Sequence, residues 1–411
     1  MQFKDLQLNK PILKAISEMK YELATPIQEQ TIPLVLAKKD VIASAQTGTG
    51  KTAAFALPIL QLFFDRQDAG KKVKKIRALI VSPTRELAIQ IEENFKLYAK
   101  FTNLRSAVLF GGTSIEPQKD VLKKGVDILI ATPGRLLDLH KQDCVNLDYV
   151  ETFVLDEADL MLDMGFIDDV KKIERLCPSK KQVLLFSATM PNKIVELANS
   201  LLKNPVTVDV TPKSSAAESV NQKLFYVPKQ KKMELCLHLL RNSIKGDILI
   251  FRRTKFGVGK LEKMLKKNGY KADSIHGDKT QNAREEALNK FKNKQVNILI
   301  ATDVASRGID INNLDAVINF DMPNVPETYV HRIGRTGRAG KTGNSYSFCA
   351  ADEKTYIETI EKLIGNTITV EAEHPYPLDP KAKPEVYIKK GSNTKKGRKS
   401  AASKKNKKRW Y

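Results

Sequence analysis

Short apolar runs separated by helix-length segments constrain this chain more than any other feature. Between Lys39 and about Val210 they read "DVIASA", "IRALIVSPT", "SAVLFGG", "VDILIAT", "TFVLDEA" and "QVLLFSAT". Each is nearly continuous in Val, Ile, Leu, Phe and Ala, and stretches of helical periodicity lie between them. Strands of that composition are buried on both faces, so the pattern predicts a parallel sheet with helices on each side. The runs end in small or polar residues. Those residues fall at the C-terminal edge of the sheet, where open α/β sheets bind ligands.

"DVTPKSSAAESV" (209–220) breaks the rhythm with Pro, Ser and Ala and reads as a linker. The rhythm then resumes in "GDILIFRRT", "KADSIHGD", "VNILIATD", "LDAVINFD" and "GNSYSFCA", ending near Gly365. The expected organisation is a first α/β domain over 1–208, the linker over 209–220, a second domain of the same class over 221–368 and a tail over 369–411. No sequence repeat relates the two domains.

Charge separates the tail from the body. Of a net +22, residues 381–411 supply +12, from 13 Lys or Arg against one Glu, which leaves about +10 for the rest. A run of one sign with little apolar content does not offset its ordering entropy, so the tail is expected to be mostly disordered. The excess of cations favours a polyanionic partner. Cys144, Cys177, Cys236 and Cys349 are far apart and have no metal-ligand spacing, as expected of reduced thiols in a cytosolic protein. No secretory signal pattern opens the sequence, and the longest apolar run, "AAFALPILQLFF", is too short to span a bilayer. A cytoplasmic protein without membrane association is expected.

The chemistry starts at "ASAQTGTGKTAAF", which follows a strand and opens a helix. From Ala45 through Gln46, Thr47, Gly48, Thr49, Gly50, Lys51 and Thr52 it matches a P-loop, although Ala45 stands where the general pattern has its first Gly. Glycines let backbone N–H groups close around phosphate oxygens, Lys51 reaches the β/γ phosphates, and the Thr52 hydroxyl faces Mg²⁺. The helix N-terminus adds partial positive charge. In "FVLDEADLMLDMGF", Asp156, Glu157 and Asp159 follow a buried strand, a costly place for carboxylates unless a cation compensates them. Downstream of a P-loop, Asp156 is placed to hold Mg²⁺ through water, and Glu157 to orient or deprotonate an attacking water. Asp159 could also serve as a helix cap.

These letters, D-E-A-D after a P-loop, resemble the DEAD-box family of ATP-dependent RNA helicases, and the likeness covers about residues 3 to 365 with its motifs in order. The short core and basic tail look most like the bacterial RhlE-type subgroup. The resemblance implies α/β architecture with two tandem RecA-like domains of helicase superfamily 2, whose cleft binds ATP and Mg²⁺ and whose joint surface clamps RNA. On "YELATPIQ", Gln28 would read the adenine edge and Phe3 would stack near it; Lys20 and Ala24 stand where the family often has Gly and Pro.

Carried over in the same way, Pro83, Thr84, Arg85, Gly111, Gly112, Thr132, Pro133, Gly134 and Arg135 would hold the RNA backbone from the first domain. Arg253, Gly277, Gln281, Arg284 and Thr302 would do so from the second. Contacts of this kind position phosphates without reading bases. Ser187, Ala188 and Thr189 would link hydrolysis to domain movement, with His331 touching motif residues across the interface. Asp310 matches a ribose or Mg²⁺-side contact, and Arg335 and Arg338 match the arginines that reach the γ-phosphate. The implied function is RNA-stimulated ATP hydrolysis coupled to local opening of short duplexes, with little sequence preference. Ribosomal precursor or mRNA complexes are the settings common among such relatives. The same residues would also build an ATP-gated RNA clamp, and they fix no oligomeric state.

The tail's charge generates a first prediction. A basic arm tethered to the core raises the effective RNA concentration at the cleft. Truncation after Asp379 should raise the RNA concentration for half-maximal ATPase while leaving kcat at saturating RNA nearly unchanged, most strongly at low salt. Coincident half-saturation values across a salt series would count against the tether.

Overall fold

The computed structural model describes residues 1–45, 48–65, 75–210, 220–306, 311, 313–337, 342–379 and 382. Gln46, Thr47, Asp310, Arg338, nearly all of the expected linker and the tail beyond 382 lie outside them.

The first seven strands are β1 (Val41–Ser44), β2 (Ala78–Val81), β3 (Ser106–Leu109), β4 (Ile128–Ala131), β5 (Thr152–Leu155), β6 (Gln182–Ser187) and β7 (Val206–Asp209). The next seven are β8 (Val220–Tyr226), β9 (Ile248–Phe251), β10 (Ala272–Ile275), β11 (Ile298–Ala301), β12 (Ala316–Asn319), β13 (Gly343–Cys349) and β14 (Thr369–Val370). They build two seven-stranded sheets in the orders β3-β4-β2-β5-β6-β1-β7 and β10-β11-β9-β12-β13-β8-β14. Every ladder is parallel. Adding seven to each strand number of the first order gives the second. The two units therefore share one topology although no sequence repeat relates them.

Burial explains the continuous apolar runs. In β4, Ile128 and Ile130 enter one core layer while Leu129 and Ala131 enter the layer on the opposite face. The period-2 alternation is present, but both faces are covered by helices, so no polar residue marks either side.

The second sheet extends past residue 368, the boundary expected from sequence. β14 pairs with β8 over Thr369 and Val370, the Leu378 amide donates to the Tyr226 carbonyl, and Tyr376 packs on the core. Residues 369–379 thus belong to the second unit, whose seventh strand they supply. That strand is two residues long and exposed, which leaves no apolar run to read.

A buried charge cluster ties this unit together. Lys232, on the helix Lys232–Asn242, is 2% exposed, and its ammonium donates to Glu353 Oε2 (2.6 Å) and to the Phe320 carbonyl (2.9 Å). Glu353 also accepts from the amides of Met322 (3.2 Å) and Ala350 (3.0 Å) and from Arg253 Nη2 (3.1 Å). One carboxylate therefore joins the ends of β12 and β13 to a helix start. Lys232→Met would leave Glu353 without its nearest buried cation, so the second unit should lose about 3–5 kcal/mol of stability. A denaturant midpoint equal to that of the parent protein would contradict this.

Candidate nucleotide and RNA site

The P-loop leaves β1 and enters the helix Lys51–Phe64. Gly48 and Gly50 have φ of 85° and 95°, the left-handed region that glycine enters without steric cost. Gly50 is doubly constrained, because a Cβ there would collide with the Gln28 amide. That amide donates to the Gly50 carbonyl (3.2 Å), while its oxygen accepts from the Thr25 amide (2.9 Å). Gln28, 4% exposed, is thereby locked to the phosphate loop. Phe3 is buried behind Tyr21, their rings 6.4 Å apart and 23° from parallel. Both rings line the cavity beside the phosphate loop, and Tyr21, within "YELATPIQ" but not singled out from sequence, is the more exposed at 40%. Lys20 has φ of 59°, so this chain accepts at Lys20 the left-handed strain that the family's glycine avoids.

Asp156 and Glu157 follow β5. Lys51 reaches across to place its ammonium 2.9 Å from Glu157 Oε1, with Lys51 5% and Asp156 2% exposed. Burial pushes the Asp156 carboxyl up to about 7, the neighbouring Glu157 charge adds to this, and Lys51 opposes it. Burial also works to raise Glu157, but Lys51 outweighs it and holds that carboxylate below its usual range. Lys51 in turn is held above its ordinary value, because the attraction of Glu157 and Asp156 overrides desolvation. Glu157 has φ 54° and ψ 54°, a conformation costing a non-glycine residue about 1 kcal/mol or more and concentrated at functional sites.

The oxygens of Asp156 and Thr52 suit Mg²⁺, which takes one or two carboxylates plus substrate phosphates rather than an all-protein cage.

The second unit meets the first at this point. His331 and Arg335 both bear electrostatically on Glu157, and Arg335 is 6% exposed. Lys292 lines the same cavity of about 680 Å³ as Gln28, Lys51, Asp156 and Glu157. Farther along the cleft, Arg284 Nη2 lies 2.9 Å from Glu86 Oε1 of the first unit. Arg332, beside His331, makes a two-pronged contact with Asp303 (2.6 and 2.8 Å) inside its own unit.

Ser187 ends β6, between the strands that carry the P-loop and Asp156. Its carbonyl accepts from the Ala45 amide (3.1 Å) and its hydroxyl accepts from the Asp159 amide (3.2 Å). Asp159 Oδ2 accepts from the Thr189 amide (3.0 Å) and hydroxyl (2.9 Å). Asp159 is thus bonded to the Ser187–Ala188–Thr189 turn, and its other oxygen accepts from the Leu160 amide.

The residues expected to hold RNA fall on one half of each sheet. Pro83–Arg85, Gly111–Gly112 and Thr132–Arg135 follow β2, β3 and β4; Arg253, Gly277 and Thr302 follow β9, β10 and β11, the equivalent strands. Arg85 lies over Gly112, where any side chain would clash with its guanidinium. Arg135 Nη2 donates to the Thr113 carbonyl (3.0 Å), while its buried Nη1 has no partner among the described residues. Gln118, for which the sequence offered no signal, closes this loop through Phe110, Thr113 and Ser114. Gln281 is nearly buried and donates to Glu285.

Two family models match the chain, "DEAD/DEAH box helicase" over residues 25–197 and "Helicase conserved C-terminal domain" over 231–340. A curated relative, the ATP-dependent RNA helicase CshA of Limosilactobacillus reuteri, is 46% identical over 88% of this chain and 72% of its own length. S. cerevisiae Dbp5 bound to RNA and ADP BeF3 is similar over 90% of this chain and 95% of that one (TM-score 0.79, 31% identity). Mss116p bound to ssRNA and AMP-PNP is similar over 91% and 80% (TM-score 0.83, 32% identity). The two parallel sheets, the P-loop and the carboxylates facing it agree with these likenesses. This chain belongs to the DEAD-box family of ATP-dependent RNA helicases.

Proposed function

We propose that ATP is hydrolysed where the two units meet at Glu157 and that RNA lies along β3-β4-β2 and β10-β11-β9 at their C-terminal ends. One observation carries this reading: a single carboxylate is flanked by Lys51 of one unit and by His331 and Arg335 of the other. Gln28 recognises the base edge and Tyr21 supplies a stacking face. Lys51 and the amides of the loop hold the β/γ phosphates. Thr52 and Asp156 would hold Mg²⁺, which would supply positive charge to offset that of the phosphates. Glu157 orients or deprotonates the attacking water, and Arg335, with Arg338, stabilises charge on the γ-phosphate. Asp310 completes the ribose or Mg²⁺ side.

Because the site is split, hydrolysis requires the units to be closed, and ATP and single-stranded RNA each favour closure by contacting both. The family likeness implies that the closed form bends one strand and releases its complement. Arg284 contributes to closure through Glu86 as well as facing the RNA side. The RNA is single-stranded or a short duplex, in ribosomal precursor or mRNA complexes, and the setting is the cytoplasm. No described helix is long and apolar enough to cross a membrane. The functional units are 1–208 and 221–368, the latter extended by the strand at 369–370. The RhlE-type reading rests on the short core and basic tail; the relative reported above is named CshA, so what it supports is the family.

Lys51 and Glu157 divide the work. K51A should lose ATP binding, whereas E157Q should keep ATP and RNA binding but lose turnover and accumulate in the closed form. Equal loss of nucleotide affinity in both variants would refute that division. Arg335 acts from across the cleft, so R335A should lower the RNA-stimulated kcat by roughly 10²-fold or more. Nucleotide binding to the first unit should change little, and a near-normal kcat would remove Arg335 from the active site.

A further inference from the structure

The helix Lys255–Lys267 opens at the C-terminal end of β9 with a phenylalanine turned outward. Phe256 is 80% exposed, more than any other large apolar side chain among the described residues. Isolated exposed apolar residues are ordinary, so the argument rests on what surrounds this one.

The turn beneath the ring is rigid. Thr254 Oγ1 accepts from the Gly257 amide (3.1 Å), capping the helix. A Cβ at Gly257 would come within 2.7 Å of the Arg252 guanidinium, so the absence of a side chain lets Arg252 tuck under the turn. Arg252 is itself fixed, 4.2 Å from the Phe320 ring centroid and 2.9 Å from Asp321. The ring is presented by packed structure.

The neighbours are cations. Lys255 Nζ lies 5.5 Å from the Phe256 ring centroid and pairs with Asp278 (2.9 Å), next to Gly277. Arg253, 44% exposed, precedes the turn. The first unit has the same arrangement at the equivalent strand: Thr84 caps the helix Arg85–Tyr98 from its side chain, and Arg85 follows. There the next residue is the buried Glu86, facing Arg284; in the second unit it is the exposed Phe256.

We propose that Phe256 is a stacking platform for a base of the bound RNA strand, adding a base contact to a clamp otherwise built on phosphates. An exposed aromatic face on a capped turn amid cations suits single-stranded nucleic acid, because every base has a π-face and the cations draw in its backbone. The proposal rests on the RNA-edge reading of β9, β10 and β11.

The test uses the full chain. Trp410 is the sole tryptophan, so F256W in a W410F background places one reporter on the turn. With a non-hydrolysable ATP analogue, single-stranded oligoadenylate should quench its fluorescence, and an abasic ribose-phosphate oligomer of equal length should not. F256A should raise the oligoadenylate concentration for half-maximal ATPase roughly tenfold, F256W should restore it, and neither should alter half-saturation by the abasic strand. R253A should weaken both oligomers. If R253A does so while F256A matches the parent, or while the reporter is silent to bound oligoadenylate, the edge faces RNA and the stacking proposal is wrong. Equal weakening of both oligomers by F256A would also overturn stacking. If R253A changes neither oligomer, the RNA-edge reading fails and the platform with it.

Discussion

The ion pair of Lys51 with Glu157, beside the buried Asp156, is the contact on which the site depends. Two adjacent carboxylates at the end of a buried strand repel each other and lose hydration, and a single ammonium does not neutralise both. The result is visible in their opposite behaviour: burial drives Asp156 up to about 7, while Lys51 holds Glu157 low. Glu157 is also kept in a left-handed backbone conformation. An arrangement this unfavourable in isolation is suited to a ligand that brings both phosphate oxygens for Lys51 and a divalent cation for Asp156.

Sheet topology explains how so many strand ends converge. β6 separates the P-loop strand from the Asp156 strand, which puts Ser187 in bonding range of both Ala45 and Asp159. A change at the phosphates therefore has a short covalent and hydrogen-bonded route to the Ser187–Thr189 turn. The other half of the same sheet, β3-β4-β2, carries the residues proposed to face RNA, and the second unit repeats the division on β10-β11-β9. On the proposed reading, nucleotide and RNA would occupy different halves of one edge, so both could bind at once and both would bear on how the units are placed.

Much of this was legible in the sequence, for a physical reason. Eleven strands were announced by apolar runs because helices cover both faces of their sheets; β7 and β14 went unread because they are exposed edge strands, and β8 because it mixes buried and open positions. The P-loop and D-E-A-D were legible because their chemistry forces particular residue types at fixed spacing. Lys232, Glu353 and Gln118 had no such signal. Each acts through long-range contacts, Lys232 meeting Glu353 121 residues away, and nothing local distinguishes a buried lysine from a surface one. Tyr21 and the role of Glu86 escaped for the same reason: one depends on which ring of a stacked pair is the more exposed, the other on the position of a second unit.

The contact between Glu86 and Arg284 shows why such an interface can open again. Both side chains are largely buried in the cleft, at 6% and 13% exposure, so forming the pair removes two charges from water. Desolvation of that kind offsets most of the Coulomb gain, leaving little net stabilisation while strongly disfavouring any arrangement that buries one charge without the other. An ion pair therefore fixes the register of the closed state without making it permanent. An apolar seam of similar area would hold the units shut regardless of ligand. In the proposed mechanism, the differential contacts of ATP and RNA with the two units set the equilibrium, and their loss after hydrolysis reverses it.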